Sequence, residues 1–257
     1  MDILKMAGIL KAAEDGKTPV DPVTSFWEDI DLSEAYAVQV ENIEEKIKEG
    51  DRITGMKIGL TSRGMMELVG VNEPDFGHLL ESMEVSNRGE IKRADLLLPK
   101  AEGELAFVLK EDLKGPGLTS QDIINATAYV VPSIEIVDSR IKDWKIKLLD
   151  TVADNGSSSR YILGDTKHNP REIDMKLTGM LMEKNGKLIN SGVLAEVFGN
   201  PVESVAWLAN KLSEFGIVLK KDYVILSGAV TAAVPADKGD TFKVSFQGMG
   251  EVEVTFI

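Results

Sequence analysis

An α+β fold is predicted by three observations: helical periodicity over residues 1 to 50, short apolar runs broken by glycine from residue 53, and strict apolar/polar alternation toward the C-terminus. Helices come first and strands follow with isolated helices between them, which argues against a regular βαβ repeat. One unit spanning 1–257 is expected, with 1–50 as a helical N-terminal embellishment and 51–257 as a β-rich core.

The elements follow in chain order. Asp31 is an N-cap with Glu34 three residues on, and Tyr36, Val40, Ile43 and Ile47 then fall on one helical stripe until Gly50. ITGMKIGLTS and LLLPKAEGELAFVLK read as strands, with KGPG as a turn signal. A second helix is expected over about residues 201 to 215, capped by Asn200 with Pro201 at its first position. Val205, Leu208, Ala209, Leu212 and Phe215 form its apolar face, and Gly216 stops it. The tail returns to strands: YVILSG, then Phe242, Val244 and Phe246, then Val252, Val254 and Phe256, each alternating with polar neighbours. Tight turns at DKGD and QGMG suit an antiparallel or mixed sheet.

Composition narrows the function classes. The 257 residues carry 42 acidic against 29 basic side chains, a formal charge of −13 that repels nucleic acid and anionic membrane surfaces. Cysteine is absent, which excludes disulfides, thiolate metal sites and a cysteine nucleophile. The N-terminus lacks the basic region, apolar run and cleavage site of a signal peptide, and no stretch reaches the length of a membrane span, so a cytoplasmic location is expected.

Glu102, Glu104 and Glu135 stand inside apolar stretches where an ionised carboxylate needs a cation or hydrogen bonds to compensate it. Strand alternation puts Glu102 and Glu104 on one face, about 7 Å apart. Glu135 lies between Ile134 and Ile136, and if its strand neighbours the first, three carboxylates converge. Such a cluster calls for a hard cation, Mg²⁺, Mn²⁺ or Ca²⁺; a Glu-x-Glu on a solvated strand face is the alternative. Lys57, between Met56 and Ile58, reads either as a general acid or base of depressed pKa or as an edge-strand lysine. Asp75 in VNEPDFGHL is a turn residue or a group that orients or deprotonates water. The small polar residues of DTVADNGSSSR suit either a loop or hydrogen bonding to a substrate carboxylate. His78 and His168 have no metal-type spacing, no G-x-S-x-G elbow is present, and the glycine clusters match no phosphate-binding template.

GMKIGLTS, GVNEPDFGHL, PKAEGELAFVL, VVPSIEIVDSRIKDWKIKLLDTVADN, MEKNGKLINSG, VAWLANKL and LSGAVTAAVPADKGDTFKVSFQGMGEVEVTF together resemble the hydratase/decarboxylase family of the fumarylacetoacetate hydrolase superfamily. The resemblance runs over nearly the whole chain. It implies a mixed β-sandwich or roll with flanking helices, Mg²⁺ or Mn²⁺ on Glu102, Glu104 and Glu135, an active-site lysine at Lys57 and a hydratase-type aspartate at Asp75. Substrate contacts are expected at Ser157, Ser158 and Thr231. The implied activity is a lyase of aromatic meta-cleavage, hydrating 2-hydroxypenta-2,4-dienoate to 4-hydroxy-2-oxopentanoate through a metal-stabilised enolate. The alternative is 4-oxalocrotonate decarboxylation. EPDFG looks like the hydratases, since the decarboxylases tend to carry an apolar residue at Asp75, whereas GAVTAAVPADKGD is similar to the decarboxylases. Homo-oligomers are implied, as is association with a sister enzyme. In a third reading, a non-catalytic subunit of such a complex, a buried lysine beside carboxylates would serve no purpose.

Overall fold

The computed structural model describes residues 2–62, 64, 66–67, 71 and 73–257. Three helices lead, α1 (Ile3–Gly16), α2 (Val23–Phe26) and α3 (Leu32–Lys48). Strands β1 (Ile53–Gly59), β2 (Asp75–Leu80), β3 (Glu84–Val85), β4 (Gly89–Ile91) and β5 (Lys100–Leu109) follow. Helix α4 (Ser120–Ala126) leads into β6 (Thr127–Val137), and α5 (Leu148–Ala153) into β7 (Ser158–Leu163). The chain continues through β8 (Gly179–Lys184), β9 (Lys187–Val193), α6 (Pro201–Ser213), β10 (Val224–Ala229), β11 (Val234–Pro235), β12 (Thr241–Phe246) and β13 (Gly250–Phe256).

Two sheets result. The larger is ordered β2-β1-β10-β5-β6-β7-β3, with β11 beside one end of β5, and the smaller β4-β13-β12-β8-β9. Both are mixed: β1/β10, β3/β7 and β4/β13 are parallel, the other pairs antiparallel. One face of the larger sheet, with Met56, Ile58, Leu105, Phe107, Ile134 and Ile136, joins the main core, which also takes Phe242, Val244, Val254 and Phe256 from the smaller sheet. Close approach of the sheets depends on Gly103, where a β-carbon would lie 2.9 Å from Met180 Sδ and 3.1 Å from Val244. The opposite face of the larger sheet is divided. Ala106, Val131, Leu226 and Tyr161 form part of a second apolar cluster there, and Glu102, Glu104 and Glu135 occupy the remainder.

Local signals account for the helices. Asp31 and Glu34 form a reciprocal capping box, and the Asn200 side chain accepts from the backbone N–H of Val202. Helix α6 buries Val205, Leu208, Ala209 and Leu212 but ends at Ser213; Phe215 lies in the terminating turn, its ring 4.5 Å from that of Tyr36. The α3 stripe is corrected in one respect. Tyr36 and Ile43 are buried and Val40 is half-buried, but Ile47 at the last turn is 40% exposed.

Polar Gln39 takes a place on the buried side of α3 because its amide has partners. Its Nε2 donates to the carbonyls of Phe76 (3.1 Å) and Val152 (2.6 Å), which leaves Oε1 to accept from His78 Nδ1 at 2.8 Å. Burial pushes the His78 imidazole down to about 4, so it is neutral and structural. His168 is likewise tied to the Met249 carbonyl at 2.9 Å. No helix among the described residues is long and apolar enough to cross a membrane. Gln39→Leu removes all three bonds and leaves the buried His78 ring N–H without its acceptor; a loss of about 3 kcal/mol in urea unfolding is expected.

Candidate metal and acid–base site

The site arises from register. Across the antiparallel β5/β6 pair Glu102 faces Glu135 and Glu104 faces Ser133, so the three glutamates share one face, and they offer oxygens within 4.8 Å of one another. Glu104 and Glu135 are buried, and Glu102 is partly open to the cleft. Lys57 arrives on β1, two strands from β5, because it pairs with Leu226 of β10 in the row that contains Ala106. Between Leu226 and Ala229 the β10/β5 register breaks, and Gly228, at φ +111°, turns its N–H to Glu104 Oε2 at 2.9 Å. A side chain at Gly228 would strike Thr61.

Lys57 Nζ donates to the Gly156 carbonyl at 2.8 Å and lies 3.4 Å from Asp75 Oδ1 and 3.7 Å from Glu135 Oε2. Asp75, the first residue of β2, is held from the other side by the Thr151 hydroxyl at 2.8 Å. Asn155, Gly156 and Ser157 all adopt left-handed φ, which bends the chain behind Lys57. Asn155 secures that bend by accepting from His78 N–H (2.7 Å) and donating to its carbonyl (3.0 Å), standing in for a strand neighbour of β2. Glycine is needed at 59 and 156, where a β-carbon would meet Lys57 and, at 59, would lie 2.2 Å from Asp75 Oδ1.

The electrostatics follow from this crowding. The depressed pKa expected of Lys57 is corrected: burial does oppose its charge, but Asp75, Glu135, Glu102 and Glu104 outweigh burial and raise the pKa, so the side chain is an ammonium. Burial and the Glu135 charge push Glu102 up to about 7, against Lys57. Glu104 is raised well above the usual carboxylate range by burial and by Glu135 and Glu102, with Lys57 and the Gly228 N–H opposing. Burial raises Glu135, while Lys57 and the Ser158 hydroxyl pull it down. Both Glu135 oxygens are buried with no hydrogen-bond partner of ordinary geometry among the described residues. Hard oxygens in excess of the single ammonium, two of them otherwise orphaned, fit a divalent cation.

A cleft of about 580 Å³ opens over the cluster, lined by Lys57, Asp75, Glu102, Thr151, Gly156 and Ser157, with Lys100 and Trp144 at its rim. A recess of about 270 Å³ adjoins it across Glu102 and Ala229, and Thr231 and Thr61 line it with buried hydroxyls that have no hydrogen-bond partner among the described residues. The structure thus brings Lys57, Asp75 and the three glutamates together, with Ser157 in the cleft and Thr231 in the recess. Ser158 lines neither; its buried hydroxyl lies near enough to Glu135 to pull its pKa down but makes no hydrogen bond of ordinary geometry among the described residues, and the Ser157 hydroxyl donates to Asp154 at 3.0 Å. Thr151, Gly156 and Lys100 were missed individually, although DTVADNGSSSR held the first two.

The fumarylacetoacetate hydrolase C-terminal family profile matches residues 73–257. The chain is 48% identical to a 2-hydroxypent-2,4-dienoate hydratase of Pseudomonas putida over 77% of this chain and 90% of the relative. It is 44% identical to a 2-hydroxyhexa-2,4-dienoate hydratase of Comamonas testosteroni over 91% and 90%. Among solved structures, a 4-oxalocrotonate decarboxylase from Pseudomonas putida G7, complexed with magnesium and adipate, matches with a TM-score of 0.96 and 38% identity over 99% of this chain and 97% of that one.

A raised carboxylate pKa fixes the sign of the pH dependence. Stability is fully present below the ordinary 4.5 and falls as pH rises through about 7 for Glu102, because the unfolded chain gives up the proton first. Mg²⁺ at ~100 times its Kd is therefore expected to raise the melting temperature by about 5–10 °C at pH 8 and by less at pH 5. In Glu104→Gln that increment shrinks; calorimetry at both pH values checks it.

Proposed function

Because this chain belongs to the fumarylacetoacetate hydrolase family, in the branch of dienoate hydratases and 4-oxalocrotonate decarboxylases, we propose that it is a divalent-metal-dependent hydro-lyase that converts 2-hydroxypenta-2,4-dienoate to 4-hydroxy-2-oxopentanoate. Asp75 carries this reading, set against Lys57 and Thr151 in the cleft beside the glutamate cluster. Residues 1–257 act in it as one catalytic unit.

Glu102, Glu104 and Glu135 would hold the cation, Mg²⁺ or Mn²⁺ by the oxygen-only donor set. When bound, it supplies Lewis acidity at the 2-oxo end of the substrate. The hydroxyls of Thr231 and Thr61 in the adjoining recess, without a hydrogen-bond partner among the described residues, suit the C1 carboxylate. That places the unsaturated chain under Lys57 and Asp75.

Hydration of the dienol needs two proton movements. Ketonisation takes a proton from the 2-hydroxyl and delivers one to C5; water then adds at C4 as C3 is protonated. Asp75, oriented by Thr151, is placed to accept a proton from water, and Lys57 is the donor beside it. The Gly156 carbonyl keeps that ammonium aimed. Decarboxylation, the runner-up, has no use for a water-directed base, and Asp75 would repel a carboxylate placed to leave beside it.

A homo-oligomer is part of the proposal. Leu181, Leu188, Ile189 and Val193 expose apolar surface on β8 and β9 at the edge of the smaller sheet, which a second copy would cover.

Two measurements test the reading. Protein supplied with Mg²⁺ should consume freshly generated 2-hydroxypentadienoate and leave 4-oxalocrotonate intact; release of CO₂ from the latter without hydration would reverse the assignment. Asp75→Asn is expected to lower kcat by about 100-fold while Mg²⁺ affinity stays within a few-fold; full turnover in that variant removes Asp75 from the mechanism.

A further inference from the structure

Arg140 stands three residues beyond β6, only 6% exposed, and lines neither the cleft nor the recess. Its guanidinium is spent on the polypeptide around Gly156. Nη2 donates to the Asp154 carbonyl and Nη1 to that of Ser158 at 3.1 Å, the two residues that flank Asn155, Gly156 and Ser157. Nη1 also reaches the Asp138 carbonyl at 2.9 Å, and Nε meets Asp154 Oδ1 at 2.5 Å. One planar fork therefore brackets the turn at both ends.

This turn needs to be held. Asn155, Gly156 and Ser157 take φ of 57°, 59° and 53° in succession, left-handed backbone that non-glycine residues adopt only under constraint. Asp154 adds to the restraint: its Oδ2 accepts from the Ser157 hydroxyl at 3.0 Å, the Arg140 N–H at 3.1 Å and the Ser139 hydroxyl at 3.2 Å. The Asp138 N–H donates to the Ser157 carbonyl at 2.7 Å. Glu14 of α1 supports the guanidinium in turn. It lines a small cavity with Arg140, Asp154 and Ser158, and it pairs with Lys46 at 2.7 Å. Burial would raise its carboxyl, but Arg140 and Lys46 hold it down to about 2.

We propose that Arg140 is a positioning residue for the hydration: by bracketing the Asn155–Ser157 turn it fixes the Gly156 carbonyl, which meets Lys57 Nζ at 2.8 Å and so aims that ammonium. The effect on turnover rests on Lys57 being the proton donor of the hydratase reading, whereas the effect on the turn does not.

Two variants test it. Arg140→Lys keeps a buried cation beside Asp154 but loses the fork, and Arg140→Ala loses both. In Mg²⁺-supplied protein acting on 2-hydroxypentadienoate, Arg140→Lys is expected to lower kcat by about 10- to 30-fold, with KM and Mg²⁺ affinity within about threefold of wild type. Its crystal structure should show the Gly156 carbonyl beyond ~3.5 Å from Lys57 Nζ. Guanidinium at a non-denaturing concentration should restore at least about fivefold of the turnover lost in Arg140→Ala, and urea at the same concentration should not. A kcat within twofold of wild type in Arg140→Lys, or a fall matched by an equal loss of Mg²⁺ affinity, overturns the proposal. So does guanidinium that does no better than urea in folded Arg140→Ala; where that variant does not fold, Arg140→Lys decides. A wild type that hydrates no dienoate sinks the hydratase reading instead, and the Arg140→Lys crystal then settles the bracketing role: a displaced Gly156 carbonyl upholds it and an undisplaced one overturns it.

Discussion

The ammonium of Lys57, buried among Asp75, Glu102, Glu104 and Glu135, is the interaction on which the surrounding architecture depends. Four carboxylates with a single cation beside them repel one another strongly where water is scarce, and burial makes each charge costlier. The protein answers with donors built from its backbone and small side chains: the Gly228 N–H on Glu104, the Thr151 hydroxyl on Asp75 and the Ser158 hydroxyl near Glu135. These do not balance the charge. A divalent cation would offset most of the excess that Lys57 leaves, and the resulting site would be stable because of its ligand and not in spite of it.

The division of the larger sheet explains how so much charge is tolerated. Its core-facing side is continuous with the smaller sheet, so folding does not rely on the charged side. On the other side, Ala106, Val131 and Leu226 exclude water next to Glu104, which sharpens every electrostatic term in the site. The left-handed turn at Asn155–Ser157 and the β10 irregularity at Gly228 are conformations the chain would not choose locally; both deliver a backbone group to a charged side chain.

Much of this was legible in the sequence, for identifiable reasons. Period-two alternation places Glu102 and Glu104 together without any long-range information, and the Asp31 and Asn200 caps locate two helices. That Glu135 lies opposite Glu102 is a register fact, and it came through the family resemblance. Ile47 was misplaced because periodicity does not say where the partner surface ends. That Ser157 and not Ser158 lines the cleft was hidden because a run of serines does not reveal which of them faces it. The roles of the Gly156 carbonyl and the Gly228 N–H were invisible because they depend on backbone geometry between segments distant in sequence.

The central claim is that the three glutamates hold one divalent cation, and anomalous diffraction from crystals grown with Mn²⁺ tests it most directly. The account predicts a single strong peak among the carboxylates of Glu102, Glu104 and Glu135, lost in Glu135→Gln. Full occupancy of Mn²⁺ elsewhere with that triad empty, or an unchanged peak in the variant, would contradict it.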